Sequence, residues 1–209
     1  MTRQGMFFRC HPFRGASPSV VVIRAFSIGH RGGVMTGLRV FITTAVLAVS
    51  AIATAPAAVA HSEVVTAYGA LSDLAPAAAG PLDGARAVLV MVAGDGHTDV
   101  RLQVQGIDRS EAGRTFGAHL HVGPCVAGDG AAAGPHYNTD ALAGRVPPRV
   151  DETTEVWLDF TVTAGGTGHA YAGVPFVPAP GERAIVIHQN PTDDHGAAGP
   201  RLACLPVSW

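Results

Sequence analysis

The stretch "TDVRLQVQGI", residues 98–107, sets Val100, Leu102 and Val104 in alternation with Asp99, Arg101, Gln103 and Gln105. A period of two sends the apolar side chains to one face and the polar ones to the other, which is the pattern of a half-buried β-strand. Ahead of it lies the apolar run "ARAVLVMVAG" (85–94), joined through "GDGHTD", so the two segments read as a hairpin. Further strands are read in "FGAHLHVG" (116–123), "EVWLDFTV" (155–162), "GHAYAGVPF" (168–176), "RAIVIHQ" (183–189) and "RLACLPV" (201–207), with Gly, Pro and Asp between them. "LAPAAAGPLDG" (74–84) reads as a loop. No useful stretch keeps an apolar 3.6 period free of Gly or Pro, so the expected fold is an all-β sandwich or barrel without internal repeats.

The chain has 209 residues, of which 26 are Gly and 15 Pro, enough for one domain and a leader. Residues 40–55, "VFITTAVLAVSAIATA", form an apolar run after Arg39, and "PAAVA" (56–60) offers the small-x-small pattern of a secretory cleavage site through Ala58 and Ala60. The run is short for a membrane span and no basic stop-transfer cluster follows it. The expected organisation is an over-extended start or long basic leader (1–34, with Met35 an alternative start), a signal peptide (35–60) and a secreted domain (61–209). That domain carries eight basic and 16 acidic residues, a formal charge of −8, which argues against nucleic acid or an anionic membrane as partner. Cleavage removes Cys10 and leaves Cys125 and Cys204, which in an exported protein are expected to form one disulfide. Oligomeric state has no signature in the sequence.

Two long irregular connections, 124–154 and 190–200, interrupt the strands, and such loops are where a rigid scaffold carries chemistry. Just before the first, "GAHLHVGPC" (117–125) places His119 and His121 on one face of a strand and Leu120 on the other, so two imidazoles stand side by side. His136 lies in "AGPHYN" (133–138), and His188 ends "AIVIH" (184–188), where it would be desolvated without a partner. Four histidines drawn from a strand, a Gly-rich loop and a strand end suit copper, which favours imidazole and tetragonal geometry. His97, His169 and His195 sit in Gly- or Asp-rich turns and are expected to be exposed. His61 would become the mature N-terminus, where amine and ring together could bind copper.

"AHLHVGPC", "AGPHYN", "AIVIHQNPTDDHG" and "GPRLAC" occur in the order, and at roughly the spacing, of the copper/zinc superoxide dismutase family, whose secreted bacterial type the chain resembles across nearly all of residues 61–209. The resemblance implies a Greek-key β-sandwich or barrel with two long active-site loops. It also implies disproportionation of the superoxide anion to dioxygen and hydrogen peroxide. By position it makes His119, His121, His136 and His188 copper ligands, with His136 also the counterpart of the zinc-bridging residue and a catalytic one. Arg201 matches the arginine that holds superoxide, and Cys125 and Cys204 match the family disulfide. The chain departs from the family in the loop after His136. "NTDALAGRVPPRVDETT" (138–154) has no histidine and offers only carboxylates, poor zinc chemistry, so a copper-only member without zinc is expected. Glu155 is then the first candidate to orient His136, with Asp159 and Asp151 behind it. Asp193 resembles the family aspartate that links copper and zinc ligands. The competing readings are a copper-binding or copper-delivery protein without catalysis, for which Arg201 would be dispensable, and a purely structural secreted domain.

Overall fold

The computed structural model describes residues 62–75 and 79–209. The expectations for the leader and for His61 fall outside these residues. The described strands are β1 (Glu63–Ala70), β2 (Ser72–Asp73), β3 (Arg86–Gly94), β4 (His97–Gln105), β5 (Thr115–Phe116), β6 (Ala118–His121), β7 (Phe160–Thr161), β8 (Thr167–Val174), β9 (Glu182–His188) and β10 (Arg201–Ser208). They pair antiparallel in two four-stranded sheets, ordered β1-β3-β4-β8 and β2-β10-β9-β6, with β5 and β7 as a small third pair. After β4 the chain leaves the first sheet to build β6 in the second and returns as β8 beside β4, a Greek-key crossing. Among the described residues, helix is confined to one short turn, α1 (Thr139–Leu142), and two 3-10 turns.

The β3–β4 hairpin closes through Asp95 and Gly96, at φ of 52° and 76°, with Gly94 opposite His97. Two successive left-handed residues are what a two-residue hairpin between right-twisted strands requires, and Asp-Gly supplies them at little strain. The alternation then places Leu89, Val100, Leu102 and Val104 inward, in one core with Leu120 and Ile187 from the second sheet.

Two expectations are corrected, and one strand lies outside them. Glu63–Ala70 is an edge strand that pairs with β3 along its whole length. Its inward positions, Val65, Ala67 and Gly69, dwindle in size, so its sequence carries little apolar periodicity. The stretch 155–162 is strand only at Phe160–Thr161, because Val156 and Leu158 bond with Leu120 and Ala118 of β6 while Glu155 and Trp157 turn toward the histidines. The expected strand 116–123 is split at Gly117, whose amide donates to the Asn190 carbonyl and whose carbonyl receives the His188 amide. A Cβ there would stand 2.7 Å from Ala198 Cβ and 2.8 Å from the Asn190 oxygen, so only glycine lets the chain pass this close.

The second sheet is buried on both faces. Its inner face carries Leu120, Ile185, Ile187 and Leu205 into the main core. On its outer face Ala184, Val186 and Cys204 meet Leu74 and Ala133 in a second apolar cluster, with Cys125 packed against it. The loop after β6 therefore lies over this face, and the Cys125–Cys204 disulfide, Cα atoms 5.7 Å apart, fastens it there. The bridge closes a loop of 79 residues. In the chain-entropy account, replacing both cysteines (Cys125→Ser with Cys204→Ala) should lower stability by about 4 kcal/mol, read as a shift in the denaturant midpoint. An unchanged midpoint would show that loop closure contributes nothing.

Candidate metal centre

Alternation along β6 sends His119 and His121 to the outer face, in register with Val186 and Ala184 of β9. His188 ends β9 on that same face, two positions beyond Val186. The fourth histidine arrives from the loop: the chain doubles back so that His136 bridges His121, with Val122 bonding to Pro135 and Tyr137 to Leu120. His119, His121, His136 and His188 each bring one ring nitrogen to within 4.8 Å of the others. His119, His121 and His188 are buried and His136 is half-buried.

The second nitrogen of each ring decides what the first can do. His121 Nδ1 lies 3.0 Å from the Gly134 carbonyl, and His188 Nδ1 lies 3.1 Å from the Gly199 carbonyl. A carbonyl only accepts, so both Nδ1 atoms carry the proton and both Nε2 atoms present a lone pair in the neutral ring. These two Nε2 atoms face each other at 3.3 Å with no proton between them, an arrangement that a cation relieves. His136 donates from Nδ1 to Glu155 Oε2 at 2.9 Å, which again frees Nε2. His119 is anchored the other way round. Its Nε2 lies 2.8 Å from Thr192 Oγ1, and its buried Nδ1 has no hydrogen-bond partner. An orphaned, buried nitrogen beside three other lone pairs fits a bound metal ion.

Electrostatics agree. Burial, with the neighbouring histidines adding to it, pushes the His119 imidazole well below its usual value. Burial also lowers His121 to about 3, against the Gly134 hydrogen bond that would raise it. His188 is lowered by burial as well, so these rings are neutral and available as ligands. Burial would raise the Glu155 carboxyl, but hydrogen bonds from His136, Asn138 and Trp157 outweigh it and hold it below its ordinary value.

Arg201 opens β10 opposite His188. One extra residue, Leu202, bulges between Arg201 and Ala203, and this shift turns Arg201 onto the histidine face while Ala203 and Leu205 stay inward. Its guanidinium donates to the Gly130 carbonyl and, at 2.6 Å, to the Gly134 carbonyl that His121 also uses.

Of the remaining carboxylates, Asp151 caps its own turn through Thr153. Asp159 serves the His119 side through Thr192, not His136. Asp193 is corrected: its Oδ1 accepts from the His195 and Ala197 amides, so its side chain closes its own loop instead of linking histidines. His97, His169 and His195 are exposed. Thr192, Asn138 and Trp157 went unread in the sequence. Asn138 alone carried a signal, since it caps α1 by accepting from Ala141, but nothing marked its other end.

No family model matches the chain, and no curated protein matches it. Among solved structures it is similar to the clock protein EA4, with 16% identity and a TM-score of 0.47 over 69% of this chain and 92% of that one. It is also similar to a double mutant of a SOD-like protein from Bacillus subtilis, with 18% identity and a TM-score of 0.48 over 68% and 97%.

Asn138 holds Glu155 from a frame set by the ion pairs of Asp140 with Arg149 and Arg145. Asp140 receives Arg149 Nε at 2.9 Å, and the Arg149 carbonyl in turn receives Asn138 Nδ2 at 2.7 Å. The Arg149 hydrogen bond holds the Asp140 carboxyl below its usual value in the folded chain. Its stabilising effect is therefore complete above the unfolded value, about pH 4, and is lost as pH falls through the lower folded one. The stability gap between the native protein and Asp140→Asn should stay constant near neutrality and narrow below about pH 4, measured by denaturant titration at each pH. A gap independent of pH would show that the pair does not titrate with folding.

Proposed function

We propose that the protein is a secreted, copper-dependent superoxide dismutase of a copper-only kind, converting two superoxide anions and two protons to dioxygen and hydrogen peroxide. One observation carries the reading: four imidazole nitrogens converge while the other nitrogen of three rings is tied to a carbonyl or carboxylate and that of the fourth to a threonine hydroxyl. An all-imidazole donor set favours copper among the common divalent ions. His119 would bind through Nδ1, and His121, His136 and His188 through Nε2. Bound copper supplies the reversible one-electron transfer that the reaction needs.

Zinc is not part of the reading. In the loop after His136, Asp140 is engaged by Arg149 and Asp151 by Thr153, and Glu155 takes the His136 proton side that a bridging zinc would occupy. Glu155 fixes the His136 tautomer and raises its basicity as a ligand. Among the described residues Arg201 has two of its five N–H donors engaged, which leaves it free to receive an anion beside His188 in a domain of net charge −8. The disulfide suits an oxidising compartment, and no helix among the described residues is long and apolar enough to cross a membrane. Superoxide is accordingly the proposed partner.

A copper-binding or copper-delivery protein is the second reading, because the carbonyl bonds of Arg201 would also suit a purely structural arginine. Copper loading with metal analysis, beside a dismutation assay, separates the two. The expected result is one copper, no zinc and high activity; copper without activity favours delivery, and no copper uptake removes both. Arg201→Ala should lower kcat/KM per bound copper roughly ten-fold. Glu155→Gln should weaken copper affinity about 10- to 100-fold with the fold retained; affinity equal to that of the native protein would mean that another group orients His136.

A further inference from the structure

His119 is the one ligand candidate anchored by its Nε2, and the group that anchors it is neither a carbonyl nor a carboxylate. Thr192 Oγ1 has a single proton. It lies 2.6 Å from Asp159 Oδ1, and a carboxylate only accepts, so that proton goes to Asp159. The same oxygen, 2.8 Å from His119 Nε2, is then left with lone pairs alone and must accept from the ring. The direction of one hydroxyl proton thus dictates that Nε2 is protonated and that the orphaned Nδ1 faces the cluster. Asp159 is itself fixed from two sides: Oδ2 accepts from the Thr192 amide at 2.7 Å, and Oδ1 accepts from the Ala118 amide at 3.3 Å. Amides must meet oxygens at both places, so the carboxylate cannot be exchanged for a donor without loss.

From this we infer that Thr192 and Asp159 are positioning residues that select the His119 tautomer. The inference rests on the reading of the four histidines as a metal site, but the tautomer is a property of the metal-free protein. It follows that the loop carrying Thr192 acts on the metal site through a hydroxyl, and that its registration with Ala118 is held by one carboxylate.

Two readouts test it on the metal-free protein and on its copper complex. Long-range proton–nitrogen correlation of the imidazole rings reports which nitrogen of each histidine carries hydrogen, and competition with a copper chelator reports affinity. In the native protein His119 should be protonated at Nε2, and His121, His136 and His188 at Nδ1. Thr192→Val, close in shape but without the hydroxyl, should lose the single His119 tautomer and bind copper about 10- to 100-fold more weakly, while Thr192→Ser restores both. Asp159→Asn should keep its amide oxygen on the Thr192 amide and give up the longer bond from Ala118, which places its amide nitrogen toward Thr192 Oγ1, turns the hydroxyl proton toward His119 and moves the ring proton to Nδ1. Protonation of His119 at Nδ1 in the native protein overturns the inference whatever the variants do. Thr192→Val with an unchanged tautomer, or with a lost tautomer and unchanged copper affinity, overturns it as well. Native protein that shows the Nε2 tautomer but takes up no copper leaves the relay standing and removes the proposed function instead.

Discussion

A neutral imidazole has one donor and one acceptor nitrogen, so a ring can point a lone pair at a cation only if something else takes its proton. The rest of this site depends on that constraint. Gly134 takes it for His121, Gly199 for His188, Glu155 for His136 and Thr192 for His119. None of these four groups lies in a strand, whereas three of the four histidines do. The strands place the rings and the connections orient them, which gives a physical reason for connections as long as 122–159 and 189–200 in an otherwise close-packed sandwich.

Orientation of this kind requires that the connections themselves be immobilised. On the outer face of the second sheet that is achieved by apolar burial around Ala133 and Val186, by the disulfide, and by Arg201, which holds the Gly130 and Gly134 carbonyls. Gly134 therefore reports to two residues at once, since its oxygen meets both the guanidinium and His121. A change at Arg201 reaches the histidine cluster through this shared oxygen as well as through charge. The bulge at Leu202 is the small backbone irregularity that makes the sharing possible.

Much of this was legible in the sequence where a periodic pattern or a paired residue carried it. Alternation in 98–107 gave the first hairpin, and the single residue between His119 and His121 put both rings on one face. The edge strand Glu63–Ala70 was not legible, because its inward side chains shrink to Ala67 and Gly69 and leave no apolar period. The stretch 155–159 looked like strand because its side chains do alternate; its backbone bonds to β6 only in part while Glu155 and Trp157 turn to the site. Thr192 and Asp159, 33 residues apart, meet only in the fold. A threonine after Asn-Pro reads as an ordinary turn residue, and nothing local marks it as a partner of an imidazole. Asp193 resembled a functional aspartate by position, yet an aspartate two residues before an exposed amide has a nearer use as a turn cap, and that use prevails.

The two anchors that involve carboxylates differ in strength in a way that bears on the rings. Glu155 touches His136 directly, so its negative charge acts on the ring through one charge-assisted hydrogen bond. Asp159 acts on His119 across a hydroxyl, and Thr192 passes on orientation while keeping the charge a bond further away. His136 is also the least buried of the four rings, where a basic nitrogen is most easily exchanged with solvent. His119 is wholly buried, between Trp157 on one side and the other histidines, and a full carboxylate against it would have needed more compensation than a hydroxyl does. The arrangement makes His136 the electron-rich, accessible ring and His119 the rigid one, and the difference follows from which loop supplies the anchor.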